Sequence, residues 1–90
     1  MGDEAVQRAC VEKAAGQIDG LVLNAGGIDP LGRIAELDLE RLKRGFTVNY
    51  FANIGLIQKT LPSLREQAGR IVFVSSRAVD QPFLGWAAYC

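Results

Sequence analysis

The sequence predicts an open α/β fold built on a parallel sheet. Three observations carry that prediction. Two apolar runs, Leu21-Val22-Leu23 and the stretch from Arg70 to Ser75, are too short for helices and suit buried strands. A long helical stretch lies between them, starting at Asp38 and reaching about Leu61. The order is therefore helix, strand, helix, strand, with a crossover far too long for a hairpin, which implies parallel pairing.

Each element has a local cause. Asp3 suits the cap of a first helix, because its carboxylate can accept from the orphan amides of the first turn. Val6, Ala9, Cys10, Lys13 and Ala14 then fall at helical spacing, an amphipathic stripe with one charge at its far end. Gly16 stands where such a helix would stop. The run Leu21-Val22-Leu23, bounded by Gly20 and by Asn24-Ala25-Gly26-Gly27, reads as a strand buried on both faces. A loop from Gly26 to Glu36 holds three glycines and Pro30. Asp38 caps the long helix, with Leu37 before it and Leu42 four places after it as a hydrophobic staple. Between Phe46 and Leu61 that helix is apolar nearly all round, so it needs cover on two sides. Pro62 reads as its stop. The β-branched run from Arg70 to Ser75 is the second buried strand.

Composition limits what such a chain can be. Ninety residues make one domain at most, and a chain of that size hides only about 60–65% of its unfolded surface. Apolar content of 49% and charged content of 22% fit a globular protein. Ten basic and ten acidic residues cancel, with no basic block, so neither nucleic acid nor an anionic membrane is an expected partner. There is no histidine, and Cys10 and Cys90 lie far apart without metal-ligand spacing. That excludes the usual zinc sites and the Ser-His-Asp and Cys-His arrangements, and no metal cofactor is expected. Free thiols and a cytoplasmic location are the expectation. The start MGDEAVQRAC has no apolar core of a signal peptide, and no apolar run approaches the ~18 residues of a membrane span.

Ligands of open α/β sheets sit at the carboxyl ends of the strands. Asn24-Ala25-Gly26-Gly27 follows the first strand. Ser75-Ser76 follows the second, with Tyr89 thirteen residues after Ser76 on a segment able to return to the same crevice. Taken singly, each has a plain alternative. Asn-Ala-Gly-Gly suits an ordinary turn, a Ser pair suits a strand end, and a lone Tyr suits half-buried core. Asn49, a poor helix former in FTVNYF, could bond back to its own turn.

As an ordered set, LVLNAGG, FTVNYF, RIVFVSS and the tyrosine thirteen places on resemble the short-chain dehydrogenase/reductase family, over essentially the whole chain from Asp3 to Tyr89. The resemblance implies a Rossmann-type, doubly wound parallel sheet, of which residues 1–90 would be an incomplete NAD(P)-binding domain. It implies that Asn24 steadies the central strand, that Ala25 and Gly26 pass close to the cofactor, and that Asn49 helps hold a water in a proton relay. It makes Ser76 the donor to the substrate carbonyl and Tyr89 the acid/base, beside the nicotinamide. Leu23 stands where the family motif has its first asparagine.

The chemistry needs such groups. Hydride delivery to a ketone turns its oxygen into an alkoxide, which must meet a donor as charge develops. A phenol with its ordinary pKa of about 10 exchanges protons poorly at neutral pH; the family lowers it with a lysine four places after the tyrosine, beyond Cys90 here. The family's glycine-rich phosphate turn would precede Met1. The expectation is a fragment of an NAD(P)(H)-dependent reductase of a small carbonyl substrate, inactive as 90 residues alone. VLNAGGIDPLGRIAELDLE with PFLGWAAY is most similar to the sepiapterin-reductase and benzil-reductase-like branch, which implies NADP(H) over NAD(H); Arg77, a bulky charge after Ser76, departs from that pattern. The resemblance also implies a homo-oligomer through the Asp38–Leu61 helix. The alternative is a non-catalytic product acting as an interaction module through that same helix.

Overall fold

The structure, a computed structural model, describes residues 3–14 and 17–90. Helix α1 spans Glu4–Lys13 and is capped as its sequence requires: Asp3 Oδ1 accepts from the Ala5 N–H at 2.8 Å and the Val6 N–H at 3.4 Å. Glu4 in its first turn and Lys13 in its last suit the helix dipole. Gly16, the expected stop, lies outside the described residues.

The buried face of α1 is not the apolar stripe. Val6 is 47% exposed, whereas Gln7 is buried. The neighbouring helix explains the reversal, because it presents a backbone acceptor and an open space. Gln7 Nε2 donates to the Ala52 carbonyl at 3.0 Å, and Lys59 Nζ donates to Gln7 Oε1 at 3.4 Å. A Cβ on Gly55 would stand 2.9 Å from Gln7 Oε1, so the glycine makes room for the amide. A buried amide with both ends bonded is tolerated where an unpaired one is not.

Strands β1 (Gly20–Leu23) and β2 (Arg70–Phe73) pair in parallel, with Leu21 opposite Ile71 and Leu23 opposite Phe73. Pairing runs one step further through Val74 N–H to the Leu23 carbonyl at 3.0 Å. Both strands form as expected, but their double-sided burial does not. Leu23 is buried, while Val22 is 64% exposed and every residue of β2 is exposed. Parallel strands are hidden only when layers lie on both faces. Here a single helix makes the main contact with the sheet.

The crossover is one helical rod in three parts: α2 (Leu39–Phe46), a π turn (Thr47–Phe51) and α3 (Ala52–Glu66). Asp38 caps it through Oδ1, which accepts from Glu40 and Arg41 N–H groups at 2.8 and 3.4 Å. The expected end at Leu61 is corrected, since Pro62 lies inside α3 and the rod runs on to Glu66. A proline removes one ladder bond and strains the turn before it, at about 3 kcal/mol in an isolated helix, and tertiary packing can override that. Leu64 and Ser63, just past the proline, are both buried. The Ser63 hydroxyl accepts from the Ile18 N–H at 2.6 Å and donates to the Ile18 carbonyl at 3.2 Å, so the last turn holds the chain entering β1.

The rod ends at a Schellman turn. Gly69 N–H reaches the Leu64 carbonyl at 2.7 Å, Ala68 N–H reaches that of Arg65 at 3.4 Å, and Ala68 takes the left-handed φ of 51°. Leu23, Ala52, Leu56, Leu64 and Ala78 make the small core. The result is a slab of 46 × 27 × 13 Å with a radius of gyration of 15.3 Å. A compact chain of this length has about 12 Å.

Candidate functional site

The carboxyl ends of β1 and β2 open into one cleft of about 330 Å³. Asn24, Ala25, Gly26, Asn49, Ser76 and Tyr89 all line it, so the structure brings together every residue singled out in the sequence. Three elements deliver them: the loop leaving β1, the π turn of the crossover, and the segment after β2.

Asn49 does not bond back to its own turn; Thr47 does, through Oγ1 to the Lys43 carbonyl at 3.0 Å. The Asn49 side chain crosses to the loop after β1. Its Oδ1 accepts from the Gly27 N–H and its Nδ2 donates to the Gly27 carbonyl, both at 2.8 Å. The amide thus offers an acceptor to the N–H and a donor to the C=O of one residue, which an aspartate or leucine of similar size cannot do. Gly26 is small for a local reason, because a Cβ there would stand 3.1 Å from Asn49 Oδ1.

Ser76 sits in extended backbone and caps a 3₁₀ turn at Arg77–Val79, with Oγ accepting from the Ala78 N–H at 3.2 Å. That bond uses a lone pair, so the O–H hydrogen stays available to donate. Tyr89 is half-buried and packs edge-on against Trp86 at 5.7 Å between ring centroids; its N–H bonds the Trp86 carbonyl at 3.0 Å. The segment that carries it is tied back to the loop after β1. Gly32 N–H donates to the Gly85 carbonyl at 2.7 Å, and Gly32 and Trp86 form an isolated parallel bridge. Gly32 has φ +147°, a conformation open to glycine.

Sequence reasoning missed two members of the site. Gly27, passed over as part of a turn, is the residue whose N–H and C=O Asn49 grips. Asn53 also lines the cleft, and its Nδ2 donates to the Asn49 carbonyl at 2.9 Å. Its signal was available: a second amide one helical turn after Asn49, in an otherwise apolar stretch.

The lining holds no charged side chain. A charge pair lies just outside, where the Arg41 guanidinium makes a forked contact with Asp29, its Nε donating to Oδ2 at 3.3 Å and its Nη2 to Oδ1. The hydrogen bond to Asp29, and then its charge, hold Arg41 above the ordinary arginine pKa. No group of three or more metal-ligating side chains occurs among the described residues. Neutral donors around a cleft, a hydroxyl, a phenol and amides, suit an oxygen that gains negative charge. Ala25 and Gly26 contribute small residues to the lining.

Comparisons with known proteins show the family and the fold. The short chain dehydrogenase family matches residues 2–90. A benzil reductase ((S)-benzoin forming) of Saccharomyces cerevisiae is 39% identical over 85 residues, covering 88% of this chain and 32% of that protein. The crystal structure of a short chain dehydrogenase/reductase from Saccharomyces cerevisiae superposes with a TM-score of 0.93 at 35% identity, over 98% of this chain and 36% of that one. That of a short chain dehydrogenase from Escherichia coli CFT073 complexed with NADPH gives 0.82 at 27% identity, over 97% and 38%. The chain spans about a third of the length of the curated relatives it matches.

Proposed function

Because the chain belongs to the short chain dehydrogenase family, an oxidoreductase family with a Rossmann fold, we propose that it carries the carbonyl side of an NAD(P)(H)-dependent reductase site. The observation that carries this reading is the convergence of Asn24, Ala25, Gly26, Asn49, Ser76 and Tyr89 on one cleft. Ser76 and Tyr89 donate to the substrate oxygen, and Tyr89 gives up its proton as the alkoxide forms. Asn49 fixes the loop whose Asn24, Ala25 and Gly26 form the cofactor wall. The residues present fit a dinucleotide there, since small side chains leave backbone open to a flat ligand. When bound, the cofactor supplies the hydride. The substrate is a small ketone or dicarbonyl, and the cofactor NADP(H); the likeness to a benzil reductase and to an NADPH complex supports both choices.

Chemical-shift mapping of the 90-residue chain tests the reading. NADPH should move the backbone amides of Asn24, Ala25, Gly26 and Ser76, and a small dicarbonyl should then move those of Ser76 and Tyr89. Tyr89→Phe should keep the first response and weaken the second. Shifts scattered outside the cleft, or a Tyr89→Phe chain that answers the dicarbonyl as the wild type does, would overturn it.

A second reading is favoured by one observation: Phe46, Tyr50, Phe51 and Ile54 stand exposed along the rod. An apolar face of that kind marks a docking surface, and a second copy of the chain is the proposed occupant, as an oligomer of the reductase or as a non-catalytic interaction module. Sedimentation should show self-association that Phe51→Glu abolishes; a monomer at all concentrations would remove this reading.

A further inference from the structure

Arg41, Gly45, Asn49 and Asn53 follow one another at intervals of four along the rod, so they share one face. Each meets the loop after β1 or a residue that holds it. Arg41 pairs with the Asp29 carboxylate. Gly45 faces the Asp29 backbone, and a Cβ there would stand 2.7 Å from the Asp29 carbonyl oxygen and 3.7 Å from Pro30 Cδ. Asn49 grips Gly27 from both ends. Asn53 reaches back to the carbonyl of Asn49.

Between Gly45 and Asn53 the rod changes to a π turn at Thr47–Phe51, closed by the Ala52 N–H to the Thr47 carbonyl. Such turns widen a helix and recur where a side chain must be aimed. The side chain at the middle of this one is Asn49. Resting on the reading of the cleft as a cofactor crevice, we propose that Gly45 and Asn53 are positioning residues of the site. Gly45 sets how closely the loop approaches the rod, and Asn53 holds the turn that aims Asn49 at Gly27. Neither touches the reacting atoms. Glycine is the poorest helix former after proline, and its place inside α2 follows from the approach of the Asp29 carbonyl, which no other side chain permits.

Gly45→Ala gives opposite signs for this role and for a passive one. If Gly45 were only a helix residue, alanine would strengthen the rod and leave the loop untouched. As a positioning residue, its replacement should keep the helical circular dichroism yet speed exchange of the Gly27 N–H by about tenfold, the scale of losing its bond to Asn49. The Asn49 Nδ2 protons should move towards free-amide shifts. Asn53→Asp, equal in size but without the Nδ2 donor, should give the same signature. Unchanged Gly27 exchange and Asn49 shifts in Asn53→Asp, or a stabilised Gly45→Ala with an unmoved loop, would overturn the proposal. NADPH titration of the wild-type chain keeps the two ideas apart. NADPH shifts scattered outside the cleft, with Gly27 protection lost in both variants, would end the cofactor reading and support the positioning role.

Discussion

Asn49 holds both backbone polar atoms of Gly27, 22 residues away in sequence, with two bonds of 2.8 Å. The two groups are exposed, so water can replace either bond, and the pair adds only about 1 kcal/mol to stability. Its larger effect is on geometry. Asn49→Leu should leave the urea midpoint nearly unchanged, yet weaken NADPH binding by about tenfold, measured as the shift response at Gly26.

Ser63 has the reverse balance. Its hydroxyl is buried and serves both the N–H and the carbonyl of Ile18. Ser63→Ala should destabilise the chain by about 1–3 kcal/mol, because the part-buried N–H and carbonyl of Ile18 lose their partner. Urea denaturation measures this, and a change below about 0.5 kcal/mol would mean that water reaches Ile18.

The turn after α3 offers a matched pair of opposite sign. Ala68 holds a left-handed φ of 51°, so Ala68→Gly should stabilise by about 0.5–1 kcal/mol. A Cβ on Gly69 would stand 2.7 Å from the Asp19 carbonyl oxygen and from Leu64 Cδ2, so Gly69→Ala should destabilise. Thermal melts check the pair: Ala68→Gly should melt above the wild type, and Gly69→Ala below it.

The Arg41–Asp29 pair should answer to salt and not to pH. A cation whose folded pKa is raised contributes below its unfolded pKa and loses that contribution only as pH rises through the folded value, which for arginine is strongly alkaline. Both side chains are largely exposed, so added salt screens them. The Asp29 amide chemical shift should be flat across neutral pH and move at high salt, and Arg41→Gln should remove the salt response.

Much of this site was legible because the features that announce it are local. Asp3 and Asp38 cap helices through atoms two and three residues away, and the strand ends that carry Asn24 and Ser76 follow from short apolar runs. What escaped the sequence depends on what lies across the gap. Gln7 is buried in place of Val6 because Ala52 offers a carbonyl and Gly55 offers space. Pro62 does not end the rod because the turn beyond it is anchored on Ile18. The strands are less buried than their composition asked, since burial belongs to layers and not to a strand. The double grip of Asn49 on Gly27 has no signature in either stretch alone.

Trp86 is the chain's one tryptophan, and its place gives it an optical use. Its backbone bridges Gly32, and its indole lies 5.4 Å from the Phe83 ring and 5.7 Å from the Tyr89 ring. Its emission therefore reports on the segment that closes the cleft, with no dye attached. A reduced nicotinamide beside Tyr89 would absorb that emission by energy transfer, while an oxidised one would not, so a single fluorescence titration can tell the two redox forms of a bound dinucleotide apart.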